Sequence, residues 1–283
     1  MALGDGVPGP RRGLALNTAT LGHNLDGYGA GWSAERIIDA CAERGLAGIV
    51  FWRREIGARA HEIGQRVRAA GMEVIGLCRT PYITGPDAGT DDEVKASIEM
   101  AAALGAPVIT IVTGGTEPGT KGVLESQRLL ADRVGRIADY AADLGVCLAL
   151  EPLNPMFGGN RTVLMSVGDA LRVCNWIDSP NVGIAVDVYH VWWDTGLSDA
   201  CRAAGGRVVS YHLCDWLENT EDMLLDRGMM GDGVADLKGI SDAVERAGYR
   251  GVCEVEVFSA GNWWLRDPDE VLDIMLERFR TLC

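Results

Sequence analysis

The sequence predicts an α/β protein built as a (β/α)8 TIM barrel, and three observations carry that expectation. Eight short apolar runs alternate with eight amphipathic stretches along the chain. The runs are almost continuously apolar, as strands are when helices cover both faces of a parallel sheet. The 283 residues hold eight such units, which matches a closed barrel of about 250 residues. An open doubly wound sheet would carry a glycine-rich phosphate loop after its first strand. Here that strand runs into Asn17-Thr18-Ala19-Thr20.

The elements follow in order. Strands are expected over residues 14–17, 48–52, 73–77, 108–112, 147–151, 183–187, 208–213 and 253–258. Helices are expected over 33–44, 57–70, 91–104, 124–144, 166–176, 197–204, 237–247 and 268–280. Ser33 is placed as the cap of the first helix, its hydroxyl serving an orphan N–H. Gly45, Gly71, Gly105, Gly145 and Gly248 stand just past helices, where a left-handed C-terminal cap favours glycine. No stretch poor in apolar residues interrupts the pattern. One catalytic domain over residues 13–283 is expected, after a flexible Gly/Pro-rich segment over residues 1–12.

Composition narrows the function. Lys and Arg total 26 against 40 Asp and Glu, a net charge of −14. Such a chain repels phosphate backbones and anionic membrane surfaces, so neither nucleic acid nor membrane is an expected partner. No uncharged apolar window reaches membrane-spanning length, and the run at 14–16 is too short for a signal peptide. The eight cysteines include no Cys-x-x-Cys pair and lie mostly in apolar runs. Reduced, buried thiols in a cytoplasmic protein are therefore expected.

In a barrel the chemistry sits where strands end at the C-terminal face. The fifth strand ends on Glu151, the sixth on Asp187, the seventh on His212-Leu213, and the eighth carries Glu254 and Glu256. Three carboxylates on one rim repel each other and are costly to desolvate, and a divalent cation removes that cost. Glu151, Asp187, His212 and Glu256 are the expected ligands of one divalent ion. Three oxygens with one imidazole suit Mn2+ first, with Mg2+, Co2+ and Zn2+ as alternatives. Glu254 shares a face with Glu256 but lies deeper, as a buried supporting partner.

Other residues reach the same rim. His190 follows Asp187 by three positions, and Asn154 follows Glu151 by three. Arg227 lies in a glycine-rich loop able to close on a polyol and supply a fixed cation. Arg53 and Arg79 follow the second and third strands and can contact a negative substrate group. His23 follows the first strand, whereas His61 sits on an outer helix and is expected to be solvated. Eight Trp stand against four Phe. Trp52, Trp192, Trp193, Trp216, Trp263 and Trp264 all follow strand ends, and indoles give flat walls for sugars or aromatic rings. Trp193 and Trp216 are the expected substrate-stacking pair.

On these residues the chain resembles the sugar phosphate isomerase/epimerase superfamily, the xylose isomerase-like barrels, over roughly residues 14–258. In that family the ligands come from strands five to eight as Glu, Asp, His and Glu. The resemblance assigns those roles to Glu151, Asp187, His212 and Glu256. It gives His190 a substrate contact and makes 226–236 look like the family's Arg and glycine loop. It implies a metal-dependent isomerase or epimerase that moves a proton next to a sugar carbonyl through an enediolate. Glu151, Glu256 and His190 are then the candidate acid and base groups.

The ketose epimerases of this superfamily carry an acidic residue six positions after the strand-five Glu, where this chain has Phe157. They also carry an Arg six positions after the strand-seven His, where this chain has Glu218. These departures, with the Trp-rich rim, keep two alternatives open. One is a large subunit of a C-glycoside deglycosidase, a lyase that eliminates an aglycone from a 3-keto C-glycoside. The other is a non-catalytic metal-containing sugar-binding or scaffold subunit. The expected partners are a small-molecule sugar or keto-glycoside, with a homo-oligomer or a smaller second subunit. The same fold resembles a three-metal DNA-repair endonuclease, but four histidines are too few for that cluster and the charge is of the wrong sign.

Overall fold

Eight parallel strands close on themselves in the computed structural model, which describes residues 13–283. The expected segment over residues 1–12 lies outside the described residues. In chain order the strands are β1 (Leu14–Asn17), β2 (Gly48–Trp52), β3 (Glu73–Cys78), β4 (Val108–Val112), β5 (Cys147–Glu151), β6 (Val182–Asp187) and β7 (Val208–Leu213). A small pair, β8 (Asp215–Trp216) and β9 (Arg227–Gly228), follows, and β10 (Cys253–Val255) completes the barrel. The barrel order is β1-β10-β7-β6-β5-β4-β3-β2. β10 closes it by pairing with β1 (Leu14 opposite Cys253) and with β7 (Glu254 opposite His212).

Helices alternate with the strands: α1 (Ala34–Glu43), α2 (Arg53–Ile56), α3 (Ala60–Ala69), α4 (Asp91–Leu104), α5 (Val123–Asp143), α6 (Val167–Ile177), α7 (Val188–Val191), α8 (Leu197–Ala204), α9 (Leu237–Arg246) and α10 (Pro268–Leu282). Local chemistry sets their ends. The Ser33 hydroxyl accepts from the Arg36 N–H, as the sequence predicts. Thr90 and Glu93 serve each other's backbone N–H groups at the start of α4. The glycines expected past helices have positive φ, 85° at Gly105 and 98° at Gly248. Each helix buries an apolar face against the barrel. On α1, Ile37, Ile38 and Cys41 have no exposed surface, and each such aliphatic side chain contributes roughly 1.5–3 kcal/mol. Gly64 lets α3 close on α4, since a Cβ there would meet the Leu104 carbonyl oxygen at 2.0 Å.

Three local differences from the sequence expectation bear on the site. The last strand ends at Val255 rather than residue 258. After Glu256 donates to the Leu213 carbonyl, the Val257 N–H turns to the Thr20 hydroxyl, and the chain leaves the sheet. A single helical turn, α7, follows β6 directly. The stretch after β7 doubles back so that β8 and β9 pair antiparallel. No disulfide joins the cysteines, and most are buried. Among the described residues no helix is long and apolar enough to cross a membrane.

Candidate metal centre and active site

Glu151 and Asp187 are the last residues of β5 and β6, His212 lies one residue before the end of β7, and Glu256 follows β10 directly. The parallel register sets Asp187 opposite His212. All four side chains are buried, and one potential ligand atom from each lies within 4.8 Å of the others. From His212 Nδ1 it is 3.1 Å to Glu151 Oε1, 3.8 Å to Glu256 Oε2 and 4.0 Å to Asp187 Oδ2. The sequence expectation named this set, and the fold brings it to one point.

The donor chemistry fits a divalent cation. Ring nitrogen Nε2 of His212 faces the Ser210 hydroxyl at 2.9 Å and Glu254 Oε1 at 3.5 Å. The Glu254 carboxylate holds a proton on Nε2, so a cation that displaces the Nδ1 proton would meet the Nδ1 lone pair directed at the acidic cluster. Nδ1 and Glu151 Oε1 are buried without a hydrogen-bond partner, although they are neighbours. A buried ring nitrogen and a buried carboxylate oxygen that face one another without a hydrogen bond form a cradle for a cation that displaces the ring proton. The expectation that Glu254 supports from below agrees with this geometry. Asn17 completes the support, donating from Nδ2 to Glu254 Oε1 and Glu256 Oε1, each at 2.9 Å. Its Oδ1 accepts from the Trp52 indole and the Ala19 N–H.

The electrostatics of the cluster are strained. Burial raises the Glu256 pKa to about 8, against the pull of Arg227 and His212. Burial also opposes ionisation of Asp187, but Arg227, His190 and His212 outweigh it and hold that carboxyl down to about 2. His212 is desolvated, yet Glu254 and Glu151 keep its pKa well above the ordinary value.

Arg227 is drawn into this centre more deeply than the sequence suggests. Its Nη1 donates to Asp187 Oδ2 at 2.9 Å and to the Glu256 carbonyl and Oε2 at 3.2 Å. The guanidinium lies between the rings of Tyr189 and Phe258, 4.5 and 4.3 Å from their centroids. The β8–β9 pair holds it there. Asp215 is buried at the hinge and accepts from the N–H groups of Gly231, Gly233 and Ala235, cinching the glycine loop. Glycine is required at 233, where a Cβ would meet the Trp216 carbonyl oxygen at 1.9 Å.

His190 lies on α7, whose start is capped by the Asp187 side chain. Its Nδ1 accepts from the Asn154 N–H at 3.2 Å, and its Nε2 is 3.4 Å from Arg227 Nη2 and 3.8 Å from Asp187 Oδ2. Burial lowers its pKa to about 4. Asn154 meets the site through that backbone N–H. Its side chain caps its own turn by accepting from Met156.

Glu151, His190, Arg227 and Glu256 line a pocket in the barrel mouth together with Trp52, Arg79, Phe157, Arg161, Tyr189 and Phe258. The expected stacking pair is not in this wall. The Trp193 indole donates to the His190 carbonyl and the residue is 37% exposed, while Trp216 stacks on Trp192 at 5.3 Å. Trp263 and Trp264 are tied to Asp232 and to Ala19 and Val257 by their N–H groups. The tryptophans chiefly pack the rim, and only Trp52 among the six enters the pocket wall. Arg53 is engaged with Ser97, and His23 stands 3.9 Å from Glu55. His61 is exposed, as expected. The sequence reading missed Asn17, Tyr189, Phe258 and Arg161. Asn17 alone carried a signal, a polar residue ending an apolar strand.

Comparison with known proteins follows the same lines. The family described as xylose isomerase-like TIM barrel matches residues 38–282. An L-ribulose 3-epimerase from Methylomonas sp. (strain DH-1) is 26% identical over 279 residues, 93% of this chain and 88% of that protein. The crystal structure of protein SMc04130 from Sinorhizobium meliloti 1021 superposes with a TM-score of 0.87 at 40% identity, covering 96% and 98% of the two chains. The IOLI protein, solved with a bound zinc atom, shares the fold at a TM-score of 0.79 and 18% identity, over 94% of this chain and 96% of that one.

Proposed function

The chain belongs to the xylose isomerase-like TIM barrel family, and on that premise we propose that it is a divalent-metal-dependent sugar epimerase or isomerase. The observation that carries this reading is the meeting of Glu151, Asp187, His212 and Glu256 at one buried point, with His212 Nδ1 and Glu151 Oε1 lacking hydrogen-bond partners, in the wall of the pocket at the barrel mouth. The similarity to a ribulose 3-epimerase over most of the chain supports the reaction class.

Those four residues would hold the ion, with Mn2+ as the first assignment and Mg2+, Co2+ or Zn2+ as alternatives. Bound there, it would polarise a sugar carbonyl and acidify the neighbouring C–H bond. The remaining steps fall to the chain itself. Glu256, ionised when the cation occupies the site, takes the carbon-bound proton on Oε2, the oxygen that Arg227 reaches at 3.2 Å and Asn17 does not hold. Glu151 belongs to a strand three places away round the barrel; its second carboxyl oxygen, protonated at the start of the turnover, gives its proton to the substrate and is left as carboxylate while Glu256 is left protonated. Return to the same carbon is epimerisation; return to the adjacent carbon is isomerisation. His190 is neutral at pH 7, and acceptance from Asn154 at Nδ1 keeps its own proton on Nε2. That proton is available to a substrate oxygen. Trp52, Tyr189 and Phe258 exclude water from the walls.

Phe157 favours a second reading. It lines the pocket where the ketose epimerases it resembles place an acidic residue, and its ring meets the edge of His190. Loss of that hydrogen-bonding group suits expulsion of a substituent β to the carbonyl, as in C-deglycosylation of a 3-keto sugar.

Both readings are tested by incubating Mn2+-loaded protein in D2O with a panel of ketoses and 3-keto glycosides. Epimerisation or isomerisation gives deuterium on the carbon next to the carbonyl, and elimination gives free aglycone. Neither outcome with any sugar would leave a binding or scaffold subunit and overturn the enzymatic reading.

A further inference from the structure

The chain has many more acids than bases, and its arginines pair with them readily. Arg44, Arg59, Arg133, Arg227 and Arg278 all hold carboxylates. Two arginines in the pocket wall depart from that pattern. Among the described residues, neither Arg79 nor Arg161 has a carboxylate within ion-pair distance. Arg79, half-buried after β3, donates to the Thr80 carbonyl at 3.1 Å and lies over the Tyr82 ring at 4.3 Å. Arg161, half-buried in the loop after β5, lies over the Phe157 ring at 5.4 Å, and its Nε is buried without a partner. Burial pushes the Arg79 pKa down and the nearby charge of Arg161 adds to the push, while Tyr82, Cys78 and Glu151 oppose it. Two partly desolvated cations near one another, neither in direct contact with a carboxylate, are costly unless a ligand supplies one.

The loop that carries Arg161 is fixed. Its carbonyl accepts from Gly114, its N–H donates to Phe157, and Thr116 donates to the Gly159 carbonyl. A Cβ on Gly115 would meet the Gly159 carbonyl oxygen at 2.6 Å, so the two loops lie backbone to backbone. Arg161 also borders a second groove with Tyr82, Asp87 and Thr116, so it stands where the pocket opens outward. Guanidinium forks match the oxygens of carboxylates and phosphates, and a fixed backbone lowers the cost of ordering them.

We propose that Arg79 and Arg161 form an anion subsite of this pocket, so that the sugar acted on carries a carboxylate or a phosphate remote from the reacting carbons. The proposal deepens the function above and rests on it for the reaction. The acidic surface repels anions at long range, so selection must come from this local pair. One end of the pocket then holds the carbonyl near Glu151 and Glu256, and the arginines hold the charged end.

The test uses three probes on one carbon skeleton: fructose, fructuronate and fructose 6-phosphate. Binding to the Mn2+-loaded protein is measured by titration calorimetry, and deuterium uptake in D2O is measured alongside. The expected result is that at least one anionic probe binds about tenfold or more tighter than fructose. In the double variant R79M/R161M that ratio should fall by roughly tenfold to a hundredfold, the worth of charge-assisted hydrogen bonds. R79K and R161K, which keep charge but lose the fork, should fall between. Inorganic phosphate should compete with the favoured anion on the unaltered protein, which keeps the test valid if the double variant folds poorly. Fructose binding as tightly as both anions, or a preference that survives in the double variant, would overturn the subsite. Arginine-dependent anion binding without deuterium uptake would leave the subsite standing and sink the reaction. Uptake into fructose with no anion preference would do the reverse.

Discussion

His212 Nδ1 and Glu151 Oε1 stand 3.1 Å apart in the barrel mouth, both buried and neither with a hydrogen-bond partner. A protein that wanted only an ion pair here would align the N–H with the oxygen. Instead the ring turns its Nε2 toward Ser210 and Glu254 and its Nδ1 toward three carboxylates. A divalent cation would displace the Nδ1 proton and use that nitrogen together with the carboxylates, which ties the local geometry to the proposed chemistry.

His212→Ala removes the single nitrogen donor of the cluster. Affinity for Mn2+ should fall by more than the ten- to hundredfold typical of losing a supporting partner. Calorimetric titration of metal-free protein measures it. Affinity within threefold of the unaltered protein would contradict the assignment.

Glu254→Gln keeps the shape but removes the charge that holds the proton on His212 Nε2. Metal affinity should drop by about ten- to hundredfold while far-ultraviolet circular dichroism stays the same. An unchanged affinity would mean that Ser210 alone fixes the ring.

Glu256→Gln should retain the fold and lose turnover by about two orders of magnitude or more, the usual cost of removing a general base. Initial rates of deuterium uptake decide it. Near-full activity would take the role of base away from Glu256.

Stability should depend on pH through the same cluster and through Glu55, which hydrogen-bonds Thr18 and the Trp52 N–H. Burial raises Glu256 to about 8 and Glu55 to about 7, from 4.5. Their contribution is complete below pH 4.5 and is lost as pH rises through those values. His212, held above 6.5 against burial by Glu254, acts in the same direction. His190, lowered by burial from 6.5 to about 4, acts oppositely, but only between those values. From pH 6.5 to 8 the metal-free protein should therefore lose stability as pH rises. Metal binding to the ionised cluster strengthens with pH, so the Tm values of metal-free and Mn2+-loaded protein should diverge. A metal-free Tm that climbs across this range would contradict the account.

Much of this was legible in the sequence because each βα unit carries its own signals. Apolar runs marked the strands, and glycines at 45, 71, 105, 145 and 248 marked helix ends. Glu151, Asp187, His212 and Glu256 could be read because a barrel sends every strand end to one rim. What escaped depends on contacts between distant segments. Arg227 reads as a loop cation, but the β8–β9 pair, cinched by Asp215, buries it against Asp187 and Glu256. The tryptophans read as substrate walls, yet most find hydrogen-bond partners in the rim. Arg161 sits in a loop, and its isolation from carboxylates is visible only once the neighbours are placed.

The central claim, a metal-dependent proton transfer next to a sugar carbonyl, is tested most directly by one titration. Mn2+ is added stepwise to metal-free protein in D2O with a ketose substrate, and deuterium uptake is followed by nuclear magnetic resonance. The account predicts negligible uptake without metal, a linear rise, and a break at one equivalent per chain. Uptake that is already full in the metal-free protein and indifferent to added Mn2+ would contradict it.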